Sequence, residues 1–229
     1  METQRTAVYR RNVFRTLSIG PARQGLHYTA KSNTRTNIFH GAIGLSTETG
    51  ELLQVCESYI LTGHLAHGAM GAVFEEMGDI GYYLMVLAKM LRVKVPAASK
   101  RVALKGTLAK GILDLNSHAT MILSIAKKTL YGVAMLQVGE TGYPGVDKIS
   151  QAGADYTRSQ LMKGHVEAAL HTFWAVSRPL TGYAPEAIFG GNIAKLSARY
   201  GAGKFEHCAA LAPHDAKQQQ AIALSAVKK

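Results

Sequence analysis

The chain of 229 residues is long enough for one sizeable domain or for two small ones packed together. Hydrophobic residues make up 47% of it and aromatic residues only 7%, which allows a substantial core and favours helices over a β-sandwich. The net charge of +11 predicts an anionic partner such as a nucleotide or a phosphate. Because no Arg-rich block is interleaved with aromatic residues, the sequence disfavours nucleic acid as that partner.

Two features bear on the compartment. Cys56 and Cys208 lie in no CxxC pair and make no disulfide framework. The first residues, METQRT, lack the apolar stretch of a secretory signal, and the longest apolar segment, 80–91, is interrupted by Lys89 and too short to cross a bilayer. We therefore expect a reduced, cytoplasmic setting with no membrane partner.

The first half of the chain predicts three helices. Apolar residues recur at helical spacing, or alternate with Arg near the N-terminus, in segments 3–17, 38–61 and 73–91. A polar loop is expected over 18–36, a turn follows Gly63, and Pro96 limits the third helix because proline cannot continue the hydrogen-bond ladder.

The second half continues the helical pattern and shows no β alternation of any length. Helices are predicted over 108–135, 159–176, 185–199 and 214–227, with an exposed Gly-rich loop over 137–154. The predicted fold class is therefore all-α, a helical bundle.

A weak internal repeat suggests how the bundle is organised. The segments GLSTETGELLQVCESYILTG and DLNSHATMILSIAKKTLYG share their apolar spacing, with Leu45 matching Leu115 and Leu53 matching Leu123. We interpret the chain as two helical units, 1–105 and 106–229, in which the second is a diverged copy of the first. Chance similarity between two amphipathic helices remains the alternative.

Two acidic pairs stand out in this basic chain. Glu48 and Glu51 are three residues apart on one predicted helix, and Glu76 and Asp79 repeat that spacing on the next, so each pair projects from one helix face. If the two helices pack antiparallel, four carboxylates face each other beside apolar residues, an arrangement that requires cations. Oxygen ligands favour Mg²⁺ or Mn²⁺ over Zn²⁺. Glu75 points about 100° away around the helix and is expected to be solvated.

Glycines precede the last acid of each pair. Gly50 stands before Glu51 and Gly78 before Asp79, at helical positions where glycine lowers helix stability. Their presence suggests the close approach of a neighbouring helix or of a bound ligand.

Three blocks of the sequence resemble the MazG-like branch of the all-α nucleoside triphosphate pyrophosphohydrolases, common in phages and bacteria. The blocks are HGAIGLSTETGELL (40–53), EEMGDIGYYL (75–84) and NIAKLSARYGAGKF (192–205), in the order of the family's ExxE, ExxD and Asn-Ile-x-Lys patterns. They cover about 40 of the 229 residues. The resemblance implies cleavage of a nucleoside triphosphate into a monophosphate and pyrophosphate, in a homo-oligomer acting on the nucleotide pool, with a purine deoxynucleotide such as dGTP as one expected substrate.

The resemblance also implies roles for particular residues. It makes Glu48, Glu51, Glu76 and Asp79 the ligands of two or more Mg²⁺ or Mn²⁺ ions, and of these Glu51, or else Glu48, is our choice for orienting the attacking water. The expected substrate-binding residues are His40, Lys127, Lys128, Asn192, Lys195, Arg199 and Tyr200.

The chain departs from the family pattern in one respect. Over a hundred residues separate the ExxD motif from the Asn192 block, whereas these follow each other closely in compact relatives. In the second unit, His118 and Met121 stand where Glu48 and Glu51 would fall. We therefore hypothesise a fused pseudo-dimer with one composite site, which would be wrong if Lys195→Ala left both affinity and turnover unchanged.

Other functions compete with this interpretation. An all-α dUTPase uses the same acidic pattern. A di-iron carboxylate bundle would need Glu-x-x-His motifs, and no Glu here has a His three residues later. His64 and His67 lie in a predicted turn and are interpreted as surface residues. A basic helical module that binds nucleic acid, with the acids as surface groups, is the non-enzymatic alternative.

Overall fold

The computed structural model describes residues 30–96, 102–137, 151–200 and 216–226, which form helices joined by turns. Within these ranges there is no strand, so the all-α prediction is confirmed. The helices, numbered here in chain order, are α1 (Ala30–Val55), α2 (Glu57–Thr62), α3 (Met70–Leu91), α4 (Leu108–Gln137), α5 (Gln151–Thr181), α6 (Pro185–Tyr200) and α7 (Ala216–Ser225).

The predicted helices that fall within the described residues are confirmed in position, but several of their ends were wrong. The segment predicted as one helix over 38–61 is divided into two at Cys56. Helix α1 begins at Ala30, inside the segment predicted as the loop 18–36. The prediction missed this start because residues 30–36 are polar apart from Ala30 and carry no apolar periodicity. Helix α5 begins at Gln151 and continues past residue 176 to Thr181, through Pro179, because Leu180 and Thr181 are buried against the core. The predicted helix 3–17 and most of the loop 137–154 lie outside the described residues.

Four long helices form the bundle that positions the site. Helix α1 packs on α3 and α4, and α5 packs on the other sides of α3 and α4, so that the four close a ring. The order of contacts makes the neighbours antiparallel: Gly41 of α1 lies against Leu87 of α3, and further along α1 the charge of Glu48 meets that of Asp79. The antiparallel pairing that the acidic motifs required is therefore present.

Helices α6 and α7 cover the outer side of α3. Both contact α3 and each other, and α6 begins at a proline, whose fixed φ suits the first position of a helix. Buried apolar residues from all six longer helices belong to one cluster. The units predicted as 1–105 and 106–229 therefore share a core, and their origin as repeats stays a prediction. Among the described residues, no helix has both the length and the apolar character needed to cross a membrane.

Candidate metal centre

Three carboxylates from α1 and α3 converge at the surface between these helices. One oxygen each of Glu48, Glu76 and Asp79 can be chosen so that all three lie within 4.8 Å of one another, and all three residues are half-buried. The helical spacing of Glu76 and Asp79 places both on the face of α3 that meets α1. This all-oxygen donor set fits a hard divalent cation such as Mg²⁺ or Mn²⁺.

The carboxylates of this cluster perturb one another. Burial first, and then the charges of Asp79 and Glu51, raise the pKa of Glu48 to about 7. Burial and the charges of Asp79, Glu48 and Glu51 raise the pKa of Glu76 to about 9. A hydrogen bond between Glu48 and Glu76 lowers the pKa of the former and raises that of the latter, so Glu76 is the group that keeps its proton and donates the hydrogen bond to Glu48. A cation bound by these oxygens would displace that proton, because metal ligands must be deprotonated.

Two residues of α6 bind the carboxylate of Asp79 on the side of the cluster that is buried in the protein. The side-chain amide of Asn192 donates a hydrogen bond of 2.8 Å to Asp79 Oδ1, and Lys195 donates to Asp79 Oδ2. Both α6 residues are buried. The block from the end of the chain and the ExxD motif are thus in direct contact, although 113 residues separate Asn192 from Asp79.

Lys195 lies almost wholly inside the protein and remains charged. Burial by itself lowers its pKa, but the charge and hydrogen bond of Asp79, with the charges of Glu75 and Glu48, raise the pKa above its ordinary value. Its Nζ lies 3.5 Å from Glu75 Oε1. The expectation that Glu75 is solvated was therefore wrong: its side chain is only 13% exposed, because α6 covers the side of α3 that faces away from α1.

The two glycines of the acidic motifs differ in their surroundings. A Cβ at Gly78 would lie 3.1 Å from Cβ and Nδ2 of Asn192, so the predicted close approach of a neighbouring helix is confirmed there. A Cβ at Gly50 would meet no described atom within 4 Å, so no packed helix explains that glycine. Gly78 thus allows α6 to approach closely enough for Asn192 to reach Asp79.

Glu51 and His40 lie at the rim of the cluster. Glu51 is exposed and contributes no oxygen to the group of three, although its charge raises the pKa of both Glu48 and Glu76. His40 is exposed two turns before Glu48, and its ring meets the edge of Tyr83, one turn after Asp79, with the ring centroids 5.7 Å apart. Tyr83 was not among the predicted site residues. Its spacing of four residues from Asp79 could have placed it on the same face of α3.

Among the residues that the structure describes, no contact joins the other predicted substrate-binding residues to the cluster. Helix α4 approaches the acidic helix at Asn116, whose side chain accepts a hydrogen bond of 3.1 Å from Thr49. Lys127 and Lys128 are exposed and begin eleven residues further along α4, about 16 Å away along the helix axis. The side chains of Arg199 and Tyr200 lie outside the described residues.

Comparisons with protein-family models, with curated protein sequences and with solved structures found no match. The assignment of a function to this cluster therefore depends on the residues themselves and on the motif resemblance.

Proposed function

We propose that this protein is a divalent-metal-dependent nucleoside triphosphate pyrophosphohydrolase that releases a nucleoside monophosphate and pyrophosphate. The observation that carries the proposal is the contact of Asn192 and Lys195 with Asp79. Of the three blocks that resemble the MazG-like family, the second and the third are separated by over a hundred residues, yet they meet at the acidic cluster to which the first also contributes. Similarity by chance would not require them to meet.

In this proposal each residue of the cluster has a separate task. Glu48, Glu76 and Asp79 hold the metal, and Glu76 gives up its proton when the cation binds. Asn192 and Lys195 are positioning residues, since they hold the two oxygens of Asp79 in place. A bound divalent ion would supply Lewis acidity toward water and toward the phosphate oxygens.

The rim of the cluster is where a substrate would enter. Glu51 remains our choice for orienting the attacking water, because it is exposed and its charge already acts on the cluster. The surplus of 26 basic over 15 acidic residues draws a polyanionic nucleotide toward the protein. We expect a homo-oligomer with one composite site per chain, built from acids of the first unit and Lys195 of the second.

The test is a panel of ribo- and deoxynucleoside triphosphates with Mg²⁺ or Mn²⁺, with pyrophosphate release as the readout. We expect release from at least one triphosphate, and Glu48→Gln or Glu76→Gln to lower kcat/KM at least about 100-fold. Glu57→Gln, at an exposed acid of α2, is the matched control and should leave the rate unchanged. Preference for dUTP would identify the dUTPase type, and preference for dGTP a purine-directed enzyme.

Two outcomes would contradict the proposal. One is the absence of pyrophosphate release with every triphosphate, accompanied by salt-dependent binding to DNA, which would favour the nucleic-acid-binding module. The other is wild-type turnover in both glutamine variants, which would show that the reaction takes place elsewhere in the chain.

A further inference from the structure

A pair of histidines lies between α4 and α5, on the opposite side of the ring of helices from the acidic pair. The Nδ1 atoms of His118 and His165 are 3.2 Å apart, a hydrogen-bond distance, and both residues are half-buried. Beside them is a cavity of about 390 Å³ whose lining includes Asp114, His118, His171 and Lys105. Neither this pair nor this cavity takes part in the function proposed above.

The histidine pair occupies the position in α4 and α5 that the glutamate pair occupies in α1 and α3. A shift of 70 residues along the chain takes Glu48 to His118, and a shift of 89 residues takes Glu76 to His165. In each case the two residues face each other across an antiparallel helix pair. Two nitrogen ligands therefore stand where the first unit has two oxygen ligands.

A second pair of matched contacts, away from the histidines and glutamates, supports the same correspondence between the two helix pairs. The shift of 70 takes Gly41 to Gly111, and the shift of 89 takes Leu87 to Val176. A Cβ at Gly41 would lie 3.1 Å from Leu87, and a Cβ at Gly111 would lie 2.6 Å from Val176, so both glycines lie against their matched partner. The two helix pairs therefore pack in the same register.

We propose that His118 and His165, with Asp114 as a third ligand, form a second metal site that takes a borderline transition-metal ion such as Zn²⁺. Imidazole and carboxylate ligands suit Zn²⁺, Ni²⁺ or Cu²⁺ rather than Mg²⁺. Two nitrogens bound tetrahedrally to Zn²⁺ at the usual bond lengths are about 3.3 Å apart, and the pair is already within about 0.1 Å of that distance.

The surroundings of the pair suit a metal ligand set. Asp114 lies one helical turn before His118 on α4 and lines the same cavity, but its carboxylate is turned toward Lys110 and would have to rotate toward the two imidazoles to become a ligand. It is paired with Lys110, whose side chain is largely exposed, while that of Asp114 is partly exposed, and a solvent-accessible ion pair of this kind is weak enough for Asp114 to exchange its partner.

The cavity provides room for the ion and its remaining ligands. The shifts that relate the two sites take Gly44 to Asp114 and Tyr83 to Thr172. In the first unit the Tyr83 ring packs directly on Gly44 and fills this space. In the second unit the smaller Thr172 lines the cavity, and the carboxylate of Asp114 stands where the first unit has no side chain.

The experiment is a Zn²⁺ titration of the full, chelator-treated chain against a chromophoric competitor, with thermal unfolding recorded with and without Zn²⁺. Four proteins are compared: wild type, His165→Gln, the double variant His64→Ala/His67→Ala, and Glu76→Gln. Glutamine keeps a hydrogen-bonding group beside His118 but removes the imidazole, and circular dichroism checks that this variant folds. Asp114→Asn, at a partly exposed position, is a second variant that tests the third ligand with less risk to the fold.

We expect one equivalent of Zn²⁺ in the wild type, with a rise in unfolding temperature. His165→Gln should lose both effects, and Asp114→Asn should weaken binding at least about tenfold. The double variant, which removes two exposed histidines of the turn before α3, and Glu76→Gln should both keep them. Binding that persists in His165→Gln, or that disappears in Glu76→Gln or in the double variant, would overturn the proposal. Because the readout is Zn²⁺ binding rather than pyrophosphate release, its failure is separate from failure of the proposed function.

Discussion

Replacing Lys195 by methionine would remove the buried ammonium group that pairs with Asp79 and Glu75, while keeping a long apolar side chain. The side chains of Lys195, Glu75 and Asp79 are 4%, 13% and 21% exposed. Removing one partner of a buried ion pair costs about 3–5 kcal/mol, because the other charge stays buried without a partner. Asp79 keeps the hydrogen bond from Asn192 and some contact with solvent, so we expect the lower end, about 3 kcal/mol.

For a chain of this length, a loss of about 3 kcal/mol corresponds to a fall in Tm of roughly 6–12 °C. The assay is urea unfolding followed by circular dichroism at neutral pH with EDTA present. Lys94→Met, at an exposed lysine after α3, is the control and should change the free energy of unfolding by less than about 0.5 kcal/mol.

The double variant Lys195→Met/Asp79→Asn separates charge from packing. If the loss comes from an unpaired carboxylate, neutralising Asp79 should recover at least about 1 kcal/mol of it, which a double-mutant cycle measures. The reasoning would be refuted if Lys195→Met unfolded within about 1 kcal/mol of the wild type, or if the double variant were no more stable than the single one.

Two further predictions concern the acids and the packing of α7. The pKa values of Glu48 and Glu76, about 7 and about 9, are raised above the ordinary value of 4.5. Their contribution to stability is therefore present below that value and lost as the pH rises through 7 and 9. The Tm of the wild type in EDTA should fall as the pH rises from 6 to 9, and it should fall less with Mg²⁺ present or in the Glu76→Gln variant. An equal dependence of Tm on pH under all three conditions would contradict this. Gly191→Ala should lower the free energy of unfolding by about 1–3 kcal/mol, because its Cβ would lie 2.7 Å from the carbonyl oxygen of Ala223 in α7. A Cβ at Gly190 would meet no described atom within 4 Å, so Gly190→Ala should raise the free energy of unfolding by up to about 1 kcal/mol. The packing argument would be refuted if urea unfolding showed the same change in both variants.

The helices and the chemistry of the acidic site could be predicted from the sequence because both depend on local spacing. Apolar periodicity located the described long helices, and the three-residue spacing of Glu76 and Asp79 placed both on one helix face. It could not locate the first turns of α1, which are polar, or the last turn of α5, where burial of Leu180 keeps the helix intact beyond Pro179.

Tertiary structure decided which of these residues meet. Glu75 was expected in solvent because the sequence shows only its angle around α3, and the packing of α6 on that side turns it into a partner of Lys195. His118 was recognised in the sequence only as a departure from the acidic pattern, and its partner His165 became visible only when α5 packed against α4. Spacing along one helix is determined by the residues between two side chains, but contact between helices depends on how their whole faces pack, which short segments of sequence do not encode.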